Sequence, residues 1–145
     1  TASAGPLEDG IAAYNAGEYS RSMEQLLPLA EIGTAKAQFF VGQMHDFGQS
    51  VVPNDSKALA WYYHAAKQGH SGAQLCVALM FDSGESIPQN FEESYAWASI
   101  AADQGLPDAA AHRDLMVTIL SARELVRAKK QAVEFWEKYV LPFRN

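Results

Sequence analysis

The sequence predicts an all-α chain, an α/α solenoid of about four antiparallel helix pairs, and three observations carry that prediction. The chain repeats itself with a period of 36 residues. Each period holds two runs in which apolar residues recur at helical spacing. Glycine, asparagine and proline punctuate those runs at fixed offsets, where helices start and stop.

The period is clearest when residues 37–72 are laid over 73–108 without a gap. That alignment pairs Ala37/Ala73, Gln38/Gln74, Val41/Val77, Met44/Met80, Asp46/Asp82, Gly48/Gly84, Ser50/Ser86, Asn54/Asn90, Ala60/Ala96, Trp61/Trp97, Ala65/Ala101, Ala66/Ala102, Gln68/Gln104 and Gly69/Gly105, which is 14 identities in 36 positions. The spacing continues back to Ala30 and Gly33 and forward to Ala109. The units therefore fall at about 7–33, 34–69, 70–105 and 106–141 of a single domain over 7–145.

In chain order, residues 1–6 read as a flexible lead-in. A helix follows over about 7–16, turning at Gly17, and a second runs from Ser20 to Ile32 with Pro28 inside it, where the ring removes a backbone donor and weakens the middle. Thr34 is placed to cap a helix over 35–47, which carries Phe40, Val41, Met44 and Phe47 on one face and stops at Gly48. Asn54 caps the next, over 55–68, with Ala58, Trp61, Tyr62, Ala65 and Ala66 as its apolar stripe. The third unit repeats the scheme with a helix over 72–83 and another from the Asn90 cap to Gln104, Glu93 standing three residues after the cap. Residues 107–120 form the next helix. Ser121 and Glu124 have the form of a capping box opening a final helix that reaches Val140 and ends before Pro142. Arg123, Arg127, Lys129, Lys130, Glu134, Glu137 and Lys138 give that helix a polar outer face, as a terminal cap requires.

Composition bounds the function. Apolar residues make up 48% of the 145 and charged residues 19%, the balance of a folded domain. A net charge of −6 argues against nucleic acid or an anionic membrane as the main partner, because both need a basic footprint. No apolar run reaches the roughly 18 residues of a spanning helix. Cys76, the one cysteine, lies in an apolar stretch without a basic neighbour and reads as an inert thiol. Ala2-Ser3-Ala4 resembles the small-residue end of a secretory signal, which places the protein in the periplasm or outside the cell, with the cytoplasm as the alternative.

Chemistry is harder to find. His45, His64, His70 and His112 stand at no metal-site spacing, and the sequence contains no nucleophile elbow and no phosphate-cradling loop, so neither a catalytic residue, a metal site nor a cofactor is expected. Asp46 and Asp82 hold equivalent places in successive units. They are open to three readings: solvated or cap-related carboxylates, partner contacts, or a catalytic pair that would need a cleft the sequence does not reveal.

Ala37, Val41, Gly42, Gly48, Val52, Asn54, Ala60, Trp61, Tyr62, Ala65, Ala66, Gln68 and Gly69 together resemble the Sel1-like repeat family, a branch of the tetratricopeptide-type solenoids. The third unit matches through Ala73, Val77, Gly84, Asn90, Ala96, Trp97, Ala101, Ala102, Gln104 and Gly105. It departs at Phe81, Ala78 and Ala98, and the second unit departs at His45. The resemblance implies a right-handed superhelix whose first helices line a concave face, and a role as adaptor or scaffold in bacterial signalling, envelope assembly or host interaction. Small residues let neighbouring helices approach, and Trp61 and Trp97 are both expected in the core.

By the same resemblance the groove residues are Asn15, Lys36, Phe39, Gln43, Asp46, Leu75, Leu79, Asp82, Asp108, Ala111 and Leu115. Their mixture of apolar, amide and acidic groups suits a protein or peptide partner with apolar anchors and one or two basic residues. For Phe39, Leu75 and Leu79 core packing is the competing reading. The expected function is a non-enzymatic interaction module, monomeric or weakly self-associating. A self-assembling structural or envelope-assembly component is the alternative, and a hidden hydrolase or metal enzyme comes third.

Overall fold

The computed structural model describes residues 3–144, in which the chain forms eight α-helices, a short 3-10 turn at Leu141–Phe143 and no strand. The helices are α1 (Pro6–Asn15), α2 (Tyr19–Glu31), α3 (Ala35–Phe47), α4 (Asp55–Ala66), α5 (Ser71–Ser83), α6 (Phe91–Asp103), α7 (Pro107–Ile119) and α8 (Ala122–Tyr139). The chain divides into two compact units, one ending at Ala65 and one beginning at Ala66. Of the lead-in, Thr1 and Ala2 lie outside the described residues, and Pro6 is already the first residue of α1, where a missing N–H costs nothing.

The repeated residues earn their place through backbone bonds. Gln38 Nε2 donates to the carbonyl of Ala30 at 3.1 Å, and Gln74 Nε2 donates to the carbonyl of Ala66 at the same distance. Each glutamine is buried and satisfies a carbonyl near the end of the preceding helix, which the helix itself leaves short of partners. Gly48 and Gly84 close α3 and α5 in the left-handed conformation, with φ of 66° and 67°. The loops that follow are pinned in parallel fashion: Asn54 N donates to His45 O at 2.8 Å and Asn90 N to Phe81 O at 3.0 Å. Asn54 and Asn90 then accept from the backbone of Lys57 and Glu93 at 2.9 and 3.0 Å, as caps should.

Thr34 is a correction. It occupies the N-cap of α3 without a side-chain bond, while His70, one period later, caps α5 by accepting from Ala73 N at its Nδ1. At the chain's last helix the capping box forms in both directions, Glu124 N to Ser121 Oγ and Ser121 N to Glu124 Oε1. Pro28 does not end α2, which continues to Glu31; it lies on the exposed side, where water can satisfy the carbonyl its ring leaves open.

In the first unit the core consists of Leu26 and Ala30 from α2 with Ala37, Val41 and Met44 from α3, and Ile11, Tyr14, Phe40 and Trp61 pack around it. α1 comes close to α2 because Gly10 has no side chain: a Cβ there would lie 2.4 Å from Leu26 Cδ2. Its carbonyl accepts from the buried hydroxyl of Ser22 at 2.8 Å. α3 and α4 meet in a related way. A Cβ on Gly42 would stand 2.8 Å from the Tyr62 ring, whose hydroxyl donates to Asp46 Oδ2 at 3.0 Å.

The second unit is built on α6, which packs against α5, α7 and α8 and is buried without interruption over residues 94–101. Trp97 is fully buried there. It stacks on Tyr139 with centroids 5.2 Å and planes 14° apart, and lies 4.6 Å from Phe135. Where the first unit sets Gly42 under Tyr62, the second has Ala78 and Ala98, both fully buried: with no ring at residue 98, the methyl at residue 78 has no tyrosine to meet.

Two sequence expectations need correction. Trp61 is only half-buried, and one side of its ring borders open clefts, so it does not duplicate Trp97. The outer face of α8 is not purely polar, since Val126 and Val133, two turns apart, are 70% and 59% exposed among the expected charged residues.

Candidate interaction surfaces

The residues expected to face a partner belong to both units. In the first, Asn15 and Lys36 are exposed, and Phe39, Gln43 and Asp46 are half-buried. Three of these are engaged internally. Phe39 packs edge-on to Phe40 and at 6.1 Å from Tyr62, Gln43 Oε1 accepts from the Tyr14 hydroxyl at 2.9 Å, and Asp46 accepts from Tyr62. Burial holds the Tyr14 phenol above its ordinary pKa.

In the second unit the face is more open. Leu79 on α5 and Leu115 on α7 are 46% and 51% exposed, and they stand one period apart, on corresponding sides of the two first helices. Leu75 and Asp82 are half-buried on the same side of α5, while Asp108 and Ala111 are exposed on α7. Asp82 lies near enough to α7 to act electrostatically on His112. Its counterpart in the first unit is tied to Tyr62; with Ala98 in the tyrosine's place, no such hydroxyl reaches Asp82.

Behind this face, Ser94 and His112 form a buried pair. Ser94 Oγ donates to the carbonyl of Ala78 at 2.6 Å and lies 2.9 Å from His112 Nε2. With the hydroxyl proton committed, Nε2 carries the ring proton and donates to Ser94. A serine beside a histidine invites comparison with a nucleophile and its base, but Ser94 is fully buried and its proton is held by a backbone carbonyl. The pair joins α5, α6 and α7.

Burial holds His112 below its ordinary pKa, with Asp82 partly opposing. The unfolded chain then takes up a proton near pH 6.5 that the folded chain refuses, so this contribution to stability is present above about 6.5 and is lost as pH falls through the lower folded-state value. His45 is shifted the same way, by burial and by Lys57. Urea denaturation at pH 7.5 and 5.0 is expected to show lower stability at the acid end, with a smaller drop in His112→Gln. Equal drops in both proteins would contradict the assignment.

Sequence reasoning missed one feature. A cleft of about 460 Å³ in the first unit is lined by Leu27, His45, Lys57, Ala60, Trp61 and His64. Its signal was present in the departures from the period: Lys57, His64 and His45 stand where the third unit has Glu93, Ile100 and Phe81. Among the described residues no group of three or more His, Cys, Asp or Glu could hold a metal ion, and no helix is long and apolar enough to cross a membrane.

The family model of the Sel1 repeat matches residues 35–70 and 72–106, the stretches that contain α3 with α4 and α5 with α6. Among solved structures the chain is similar to c5321, a protective antigen present in uropathogenic Escherichia coli strains displaying an SLR fold. The identity is 22% over 95% of this chain, with a TM-score of 0.89. It is also similar to a Sel1 repeat protein from Oxalobacter formigenes, at 27% identity over 92% of this chain and a TM-score of 0.76. This chain spans 30% of the first neighbour and 55% of the second. No curated protein matches it in sequence. The likenesses agree on an all-α repeat fold, the class that generally serves as a protein interaction module and typically as a non-catalytic scaffold.

Proposed function

This chain is a Sel1-like repeat protein, with repeats at residues 35–70 and 72–106, and on that premise we propose that it is a non-enzymatic adaptor that binds a protein or peptide through the open face of its first helices. The observation that carries the reading is the exposure of Leu79 and Leu115 one period apart, flanked by Leu75, Asp82 and Asp108. Two large apolar side chains held out in water at repeat-equivalent places are anchors for a complementary segment. The carboxylates beside them favour basic residues in that segment and disfavour acidic ones. The commitment of Ser94 and His112 to the helix junction supports a binding role over a hydrolytic one.

The test is capture from cell extract with three immobilised proteins: wild type, Leu79→Asp with Leu115→Asp, and Lys130→Glu on α8 as a surface control. Both leucines are exposed, so the double variant is expected to keep the wild-type helical content in circular dichroism. The reading predicts that a partner held by wild type and by the control is recovered at least tenfold less with the double variant. Equal recovery by all three removes the first-helix face from the function.

A further inference from the structure

The cleft lined by Trp61 and Lys57 differs in its charge from four other clefts of the molecule. Those between α6 and α8, along α2, beside α1 and at the end of α2 each include at least one carboxylate, among them Asp103, Glu24, Asp9 and Glu31. The one bounded by α2, α3 and α4 has none, although the protein carries a net charge of −6. Its apolar lining is Leu27, Ala60 and Trp61, and its nitrogen groups are Lys57 and two imidazoles. Lys57 is exposed and sits close enough to His45 to disfavour charge on its ring. His45 Nδ1 is sealed from solvent without a hydrogen-bond partner, and the ring of His64 leans on Trp61 at 6.2 Å between centroids.

A largely apolar lining with one exposed ammonium, two imidazoles and no carboxylate to balance them is complementary to one kind of occupant. We infer that this cleft takes an acidic peptide segment, in which an aspartate or glutamate meets Lys57 and His45 while a neighbouring large apolar residue lies on Trp61. The ammonium of Lys57 supplies a charge-assisted bond to the carboxylate, and the indole supplies the flat apolar area on which an aromatic or branched side chain rests. In the second unit Trp97 is already covered by Phe135 and Tyr139, and Glu93 stands where the first unit has the lysine. The site is separate from the first-helix face, prefers the opposite charge, and stands or falls independently of it.

Titration of isotope-labelled protein with the blocked peptides Gly-Leu-Glu-Phe-Glu-Gly and Gly-Glu-Leu-Glu-Phe-Gly, and with their glutamine counterparts, tests the inference by nuclear magnetic resonance. The acidic peptides are expected to shift the Trp61 indole and the amides of Lys57 and Ala60 saturably, to raise the pKa of His45, and to bind at least tenfold more tightly than the glutamine versions. Lys57→Glu, an exposed substitution that leaves the core untouched, is expected to weaken them by the same factor. Three results would overturn the site: no saturable shift with either acidic peptide, equal affinity for acidic and amide forms, or shifts confined to α5 and α7. Binding of 4-phenylbutyrate as tight as that of the peptides would instead make it a small-molecule pocket and overturn the peptide assignment.

Discussion

Replacing Trp97 with alanine is expected to remove about 3–5 kcal/mol of folding stability, the range for emptying a fully buried large aromatic site. The ring has no solvent-facing edge, and it loses both the parallel stack on Tyr139 and the contact with Phe135. Trp61→Ala, at the equivalent repeat position, is expected to cost clearly less, because part of that ring already faces water and its removal enlarges an open cleft rather than creating a closed one. Urea denaturation of the two variants decides the matter. Equal losses would mean that repeat position, and not local cover, sets the contribution.

The second large effect is a change of sign. Gly42→Ala in the otherwise unaltered protein is expected to destabilise by about 1–3 kcal/mol, since the new methyl meets the buried Tyr62 ring in a packed junction. Tyr62→Ala alone is expected to cost about 3–5 kcal/mol, by loss of the ring. In the Tyr62→Ala background, however, Gly42→Ala is expected to stabilise by about 0.5–1 kcal/mol, because the clash is gone and alanine is the better helix former. That double variant reproduces the Ala78 and Ala98 pair of the following repeat. Simple additivity of the two substitutions in a double-mutant cycle would contradict the packing described for α3 and α4.

Much of the fold is legible in the sequence. The 36-residue period located the helix pairs, and the bounds of α3 at Ala35 and Phe47 follow directly from its punctuation. What the period could not supply was a reason for its own polar members. Gln38 and Gln74 look like surface amides on a helix, and their role appears only when the carbonyls of Ala30 and Ala66 are seen within 3.1 Å. Identity across the period also misled. Trp61 and Trp97 occupy one sequence position and two environments, because Phe135 and Tyr139 cover only the later ring. The departures from the period are as informative as the matches: glycine at residue 42 accompanies the Tyr62 ring and alanine at residue 78 its absence, and Lys57 against Glu93 marks a cleft that the repeat pattern itself does not contain.

Exposure along the proposed face was legible only in part. Leu79 and Leu115 were among the expected contacts and are exposed, whereas Gln43 and Asp46, also expected there, spend hydrogen-bonding capacity on Tyr14 and Tyr62. Helical periodicity identifies which side of α3 a residue occupies, but it cannot tell that a tyrosine from α1 or α4 reaches across to it.

The most direct test of the binding role is titration calorimetry of a captured partner against the wild-type protein and the Leu79→Asp, Leu115→Asp variant. The proposed role predicts a saturable isotherm with wild type and at least a tenfold weaker one with the variant, both proteins having the same helical content. Indistinguishable isotherms would contradict it.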